Sequence, residues 1–279
     1  MPRKASSAMS IGVGATQELS LRLSVASLAR VLFKHPQAEH EMLALERTAT
    51  LREAGDGPQV TVKAQPFGGA VRLRDASALQ ALIGDFHFDS ERSRSEGDFR
   101  IQIRPSDWEM VKRFCLQNLQ HEDMSVLEAG PERELAEEFA DALKVKITSS
   151  QYGLTPMGHV IENAPAITHN IHAAGHPTVR IYNVFAVRIL DPSLARAMLA
   201  NSEGYSDQDL QELALQDARR GGKGRANAIL ALPVALLTKA YLAMSPGERD
   251  APVTVEGHYL DGNVPAVLEG ITVPKFQRL

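Results

Sequence analysis

Apolar residues at Leu21, Val25, Leu28 and Leu32 fall close to helical spacing, which predicts a helix over residues 20–33. Pro36 interrupts the pattern, and residues 39–54 read as a second helix or a helix running into a strand. Gly55-Asp56-Gly57-Pro58 is a turn. After it Val60-Thr61-Val62-Lys63-Ala64 alternates as a strand, and residues 66–73 continue the β pattern. A short helix is expected over 76–83, a short strand at Phe86-His87-Phe88, and a further strand at Phe99-Arg100-Ile101-Gln102-Ile103. Ser106 and Glu109 form the pattern of a capping box for a helix through residue 119. Gly130-Pro131 opens an acidic helix to about residue 143, with a strand expected at 144–147 and the strongest strand at 178–190. The Pro-, Gly- and His-rich stretch between them reads as a loop with a short strand near His159-Val160-Ile161. Helices are expected over 192–199, 206–218 and 225–244, the last bent or split by Pro233. Val253-Thr254-Val255 and residues 264–273 flank Asp261-Gly262-Asn263, a hairpin turn signal.

Strands and helices interleave without the regular period of a doubly wound sheet, so the expected class is α/β in the α+β sense, with a mixed, partly antiparallel sheet. The segments divide into an N-terminal helical part (1–54), an α/β core (55–195) with an insertion at about 75–124, a helical part (196–246) and a C-terminal β-hairpin (247–279). The 279 residues, 44% hydrophobic and 23% charged, suit one elaborated domain or a core with an added lobe. Aromatics make up only 5%, so aliphatic side chains must do most of the packing. A net charge of −4 gives no global attraction to nucleic acid or anionic lipid, and phosphate recognition would have to be local. The single Cys115 excludes an intramolecular disulfide and a cysteine-based metal site; its helical apolar context predicts a buried thiol. One reduced thiol, the absence of an apolar run of about 18 residues, and a start at Met1-Pro2-Arg3-Lys4 without a long apolar stretch predict a cytoplasmic protein with no membrane partner.

The densest chemistry lies in Arg133-Glu134-Leu135-Ala136-Glu137-Glu138. On a helix Leu135, Phe139 and Leu143 form one apolar stripe, while Glu134, Glu137 and Glu138 share a neighbouring face. Like charges at that spacing repel weakly, and a hard divalent cation would turn the repulsion into coordination. The order Arg-Glu-Leu-x-Glu-Glu resembles the second half of the Nudix hydrolase box. That resemblance implies an α/β/α sandwich in which Mg²⁺ or Mn²⁺ activates water against a nucleoside diphosphate linked to another group. It implies Glu137 and Glu138 as metal ligands, Glu134 as ligand or water-activating base, and Arg133 as an arginine pairing with a glutamate of the box. Phe67-Gly68-Gly69 resembles the family's Gly-Gly element, whose backbone at Gly68 would help hold the metal. Leu119 and Ser125 stand where the family has its Gly and upstream Glu, and Ala140 replaces the glycine after Glu-Glu.

Arg219-Arg220-Gly221-Gly222-Lys223-Gly224-Arg225 is a second candidate, expected to cradle a phosphate with its backbone at the start of a following helix or to be a Gly-rich connection. His159, His169, His172 and His176 crowd one irregular stretch, without a known zinc spacing. Asp85, Asp89, Glu91, Glu96 and Asp98 alternate with Arg92 and Arg94, which reads either as a further cation ligand set or as a self-neutralised loop. Gly12-Val13-Gly14 is too short for a dinucleotide fingerprint, and no nucleophile elbow occurs. Two functions follow as expectations. One is metal-dependent hydrolysis of a pyrophosphate-linked, nucleotide-type small molecule; the other is a non-catalytic nucleotide- or protein-binding module on a diverged scaffold of the same kind.

Overall fold

The computed structural model describes residues 21–54, 57–120, 124–167 and 175–279. His169, His172 and Gly12-Val13-Gly14 lie outside the described residues. In chain order the strands and helices are β1 (Leu21–Lys34), β2 (Glu41–Ala54), β3 (Gly57–Gln65), β4 (Phe67–Ala70), β5 (Arg72–Leu73), α1 (Ala76–Ile83), β6 (His87–Phe88), α2 (Glu91–Glu96) and β7 (Arg100–Ile103). There follow α3 (Trp108–Leu119), β8 (Leu127–Glu128), α4 (Glu132–Leu143), β9 (Tyr152–Ile167), β10 (Pro177–Ile189), α5 (Pro192–Gly204) and α6 (Asp207–Arg219). The chain closes with β11 (Arg225–Pro233), α7 (Val234–Ala243), β12 (Val253–Val255), β13 (His258–Leu260) and β14 (Phe276–Arg278). The class is mixed α+β, built on a 12-stranded sheet with both parallel and antiparallel pairs. Among the described residues no helix is long and apolar enough to cross a membrane.

The sheet is organised by β1. One edge runs parallel to β10 from Arg22 opposite Thr178 to Leu32 opposite Arg188. The other edge is shared in turn by β7, β4 and β2, all antiparallel. Alternation sends Leu28 and Leu32 into a cluster roofed by the C-terminal residues Leu260, Val264 and Ile271. Odd-numbered Leu21, Leu23 and Val25 meet α1 and α3, while Ala29, Val31 and Phe33 meet α4 and α5. The free edge of β11 is blunted by α5, where Asn201 Oδ1 accepts from Ile229 N–H at 2.7 Å and Ser202 Oγ from Ala231 N–H at 2.8 Å.

Several expected elements are corrected. Of the helix expected over 20–33, the described residues 21–33 form a strand: β1 is covered on both faces, so its apolar positions are nearly continuous and imitate helical spacing. The segment expected as a second helix is likewise strand from Glu41 to Ala54, and 225–244 is β11 up to Pro233 and helix only after it. The expected loop before residue 178 is the 16-residue β9, paired along β10 through bulges that accommodate Pro156 and Gly158. Residues 144–147 are irregular. The C-terminal hairpin turns at Glu256 and Gly257, both at positive φ (48° and 81°), rather than at Asp261-Gly262-Asn263. Asp107, not Ser106, caps α3, and it does so without a side-chain bond. The acidic loop contains α2, neutralised by Arg92–Glu96 and Arg94–Glu91 pairs at 2.9 and 3.4 Å.

Candidate functional site

The acidic helix α4 begins after Pro131, carries Glu132 and Glu134 in its first turn, and stops at Lys144 in a left-handed conformation. It docks by Leu135, Phe139 and Ala142, with the Phe139 ring 5.0 Å from that of Phe67 on β4. That docking lays Glu134 and Glu138 over Gly68-Gly69. A β-carbon on Gly69 would stand 2.2 Å from the Glu134 carboxyl carbon. Gly68, at φ 142°, would push a β-carbon to 2.0 Å from the Ser27 carbonyl oxygen, and its N–H donates to Glu138 Oε2 at 2.9 Å. Glu137 turns to solvent, its side chain 62% exposed. Arg133 reaches Glu134 at 2.5 Å, Glu137 at 3.5 Å and Glu128 at 3.8 Å. Two of the three box-like glutamates therefore meet the Gly-Gly element, and the third stands off.

Glu46 of β2 completes this acidic group, and the sequence patterning did not single it out. It is wholly buried, accepting from Arg225 Nη2 and Gln65 Nε2, each at 3.0 Å. Burial and the charge of Glu46 hold the Glu138 carboxyl well above the usual carboxylate range, against the pull of the Gly68 N–H. Burial also raises Glu134, opposed by Arg133. Glu46 directly follows the apolar run Met42-Leu43-Ala44-Leu45 and precedes Arg47, where a single acidic residue has no periodic signature. Among the described residues no group of three or more His, Cys, Asp or Glu side chains is disposed to hold a metal ion.

The basic loop precedes a strand, so no helix N-terminus stands behind it. Arg219, Arg220 and Lys223 are exposed, and Asp217 in the last turn of α6 takes the N–H groups of Gly224 (2.9 Å) and Arg225 (3.3 Å). The backbone of the loop is thus already engaged by a carboxylate from the preceding helix. Arg225 alone turns inward, to Glu46.

A polar row crosses the helix-covered face. Ser27, Asn183 and His159 are opposite one another on β1, β10 and β9, and Gly69 lies opposite Ser27 on the other edge. All three side chains are buried. Ser27 Oγ donates to the Ala129 carbonyl. Burial lowers the His159 imidazole against the help of Asn183, and its Nδ1 has no partner. His159 is thus a strand residue, and His176 precedes β10.

On the opposite face lies a cleft of about 610 Å³. Ser24 of β1 is opposite Arg180 of β10 on one side and Arg100 of β7 on the other. Arg22, one step along the same face, is 3% exposed and gives Nε and Nη2 to Asp89 Oδ2 at 2.9 and 2.6 Å. Burial lowers its guanidinium, and the nearby charges of Arg100 and Arg180 push the same way, against the support of Asp89. Arg180 pairs with buried Glu162 at 3.0 Å and Arg100 with Asp98 at 3.2 Å. Lys63 and Lys275 extend the basic lining, and Gln65 forms a wall that the cleft shares with Glu46. The sequence showed only isolated arginines here, because their convergence depends on pairing among strands distant in the chain.

Comparison with protein families, with curated proteins and with solved structures finds no match to this chain.

Proposed function

We propose that this protein is a cytoplasmic, non-catalytic binding module for a phosphate-bearing, nucleotide-type small molecule, seated in the cleft around Ser24. The observation that carries the reading is the convergence of Arg22, Arg100 and Arg180 around one small hydroxyl residue. The charges of Arg100 and Arg180 disfavour the charged form of Arg22, an anion between the three would relieve that repulsion, and guanidinium forks suit phosphate oxygens. The cleft volume of about 610 Å³ lies within the range of small-molecule sites. Calorimetric titration with inorganic pyrophosphate and with AMP tests the reading. Saturable binding by the intact chain, weakened about tenfold or more in Arg100→Gln and in Arg180→Gln, is expected. No binding, or equal binding by all three proteins, overturns it.

A second reading, metal-dependent hydrolysis of a pyrophosphate linkage, is favoured by one observation, the placement of Glu134 and Glu138 at Gly68-Gly69. Mg²⁺ or Mn²⁺ would require deprotonated carboxylates with free oxygens. Here Glu134 is held by Arg133, Glu138 is biased toward its protonated form, and Glu137 faces away. The side chains as arranged do not fit that ion, and no chemical step is derived from it. Turnover of ADP-ribose or dinucleoside polyphosphate with Mg²⁺ or Mn²⁺, lost in Glu138→Gln, would favour hydrolysis over the binding reading.

A further inference from the structure

At the end of β1 opposite to Ser24 lies a second crevice, of about 420 Å³. It opens where two parallel strands finish: β1 ends at Lys34, two residues past the Leu32–Arg188 pair, and β10 ends at Ile189. From there the paths part. β1 turns back in the plane of the sheet into β2, whereas β10 passes through Asp191 into α5, which packs on the sheet face with Leu194, Ala195 and Met198. Ligands of sheets with such diverging connections sit outside the carboxyl ends of the parallel strands.

The floor is apolar and the rim is cationic. Ile189 and Ala195 are buried, and Leu190 lines the same crevice with 59% of its surface exposed. Lys34, Arg188 and Arg196 supply the charge. Arg188 gives Nη1 to Glu41 at 2.7 Å, and Arg196 gives Nη2 to the neutral Ser193 Oγ at 3.1 Å. Among the described residues neither Lys34 nor Arg196 forms an ion pair. Asp191, the one carboxylate of the lining, is committed on both oxygens, accepting from Ser193 N–H and from Gln151 Nε2 at 2.8 Å each. The start of α5 is thereby capped and is not the seat. Three cations set against Glu41 and Asp191 leave one positive charge at the edge of an apolar floor. We infer that this crevice binds a small amphipathic carboxylate, with its hydrocarbon part on Ile189, Leu190 and Ala195 and its single charge at Lys34 and Arg196. The volume of about 420 Å³ is that of a small-molecule site. A phosphate ester would bring a second charge for which the rim has no cation.

Calorimetric titration of the full chain with octanoate, octanol, acetate and octyl phosphate tests the inference. Saturable octanoate binding is expected, at least about tenfold tighter than octanol, which lacks the charge, and than acetate, which lacks the chain. The double variant Lys34→Gln/Arg196→Gln should bind octanoate about tenfold more weakly. It should melt with the wild type, since both side chains are exposed. Octanol binding as tightly as octanoate, or a double variant that binds octanoate undiminished, removes the role of the cations and overturns the inference. Acetate binding as tightly as octanoate removes the role of the apolar floor and overturns it equally. Octyl phosphate binding more tightly than octanoate overturns the assignment of a single charge. No saturable binding of octanoate overturns the whole, independently of what pyrophosphate does at Ser24.

Discussion

The carboxyl group of Glu134 occupies the space that a β-carbon on Gly69 would fill, 2.2 Å from that position. The pairing of a bare glycine with the acidic helix is therefore steric as well as chemical: the Glu134 carboxyl can lie over β4 in this position because residue 69 has no side chain.

Gly69→Ala forces the Glu134 carboxyl to swing away from β4 and from Arg133. Displacing the end of a flexible side chain sits at the low end of overpacking, about 1 kcal/mol, and the expected result is a slightly lower denaturation midpoint with an unchanged denaturant slope. Adding Glu134→Ala should recover part of the loss, a coupling that a double-mutant cycle reads directly. Additive effects would mean that the two residues do not compete for space.

The Glu138 carboxyl is raised by burial and by Glu46, so the folded chain binds this proton more tightly than the unfolded chain does. Its contribution to stability is complete below the ordinary value of 4.5 and declines as pH rises toward the elevated folded value. Glu138→Gln keeps the shape, lets Gly68 donate to a neutral oxygen and removes the titration. The variant should match wild type near about pH 4.5 and exceed its melting temperature by several degrees at about pH 8. A wild-type chain that is the more stable at the higher pH would contradict the placement of that proton.

How much of this was readable beforehand depended on what the pattern could encode. The helices α1, α4, α5 and α6 show one apolar stripe each, and their positions follow from spacing alone. That the Gly-Gly element would neighbour the acidic helix was expected only through the resemblance to the Nudix box, since neither segment by itself indicates the other. β1 was misread because both its faces are covered, which erases the alternation. Glu46 and the arginines around Ser24 could not be seen, since each acquires its meaning from a strand partner far away in sequence. The polar row through Ser27, Asn183 and His159 was hidden in the same way.

Arg22 and Asp89 are both almost wholly buried, with side-chain exposures of 3% and 1%. Asp89→Asn leaves a guanidinium buried without its counter-charge, and a loss of about 3–5 kcal/mol is expected from chemical denaturation. Joint replacement by Arg22→Met and Asp89→Leu should cost less than the single change. A single variant as stable as wild type would show that Arg22 does not depend on Asp89.

His159 should titrate below its ordinary value of 6.5, since burial disfavours the imidazolium more than Asn183 supports it. A base lowered on folding contributes stability above the unfolded value and loses it as pH falls toward the folded one. Nuclear magnetic resonance of the ring protons checks the midpoint, and His159→Gln should remove that part of the acid sensitivity. A midpoint at or above 6.5 would place the ring in contact with water or a carboxylate.

The central claim is that Arg100, Arg180 and Arg22 around Ser24 form a seat for an anion, and Ser24→Asp probes it most directly. The new carboxylate would stand opposite Arg100 and Arg180 in register and occupy the seat from within. Calorimetry with pyrophosphate, alongside a thermal melt, should show binding abolished while the melting temperature rises. A variant that still binds pyrophosphate as tightly as wild type, or one that loses stability on gaining the carboxylate, would contradict the account.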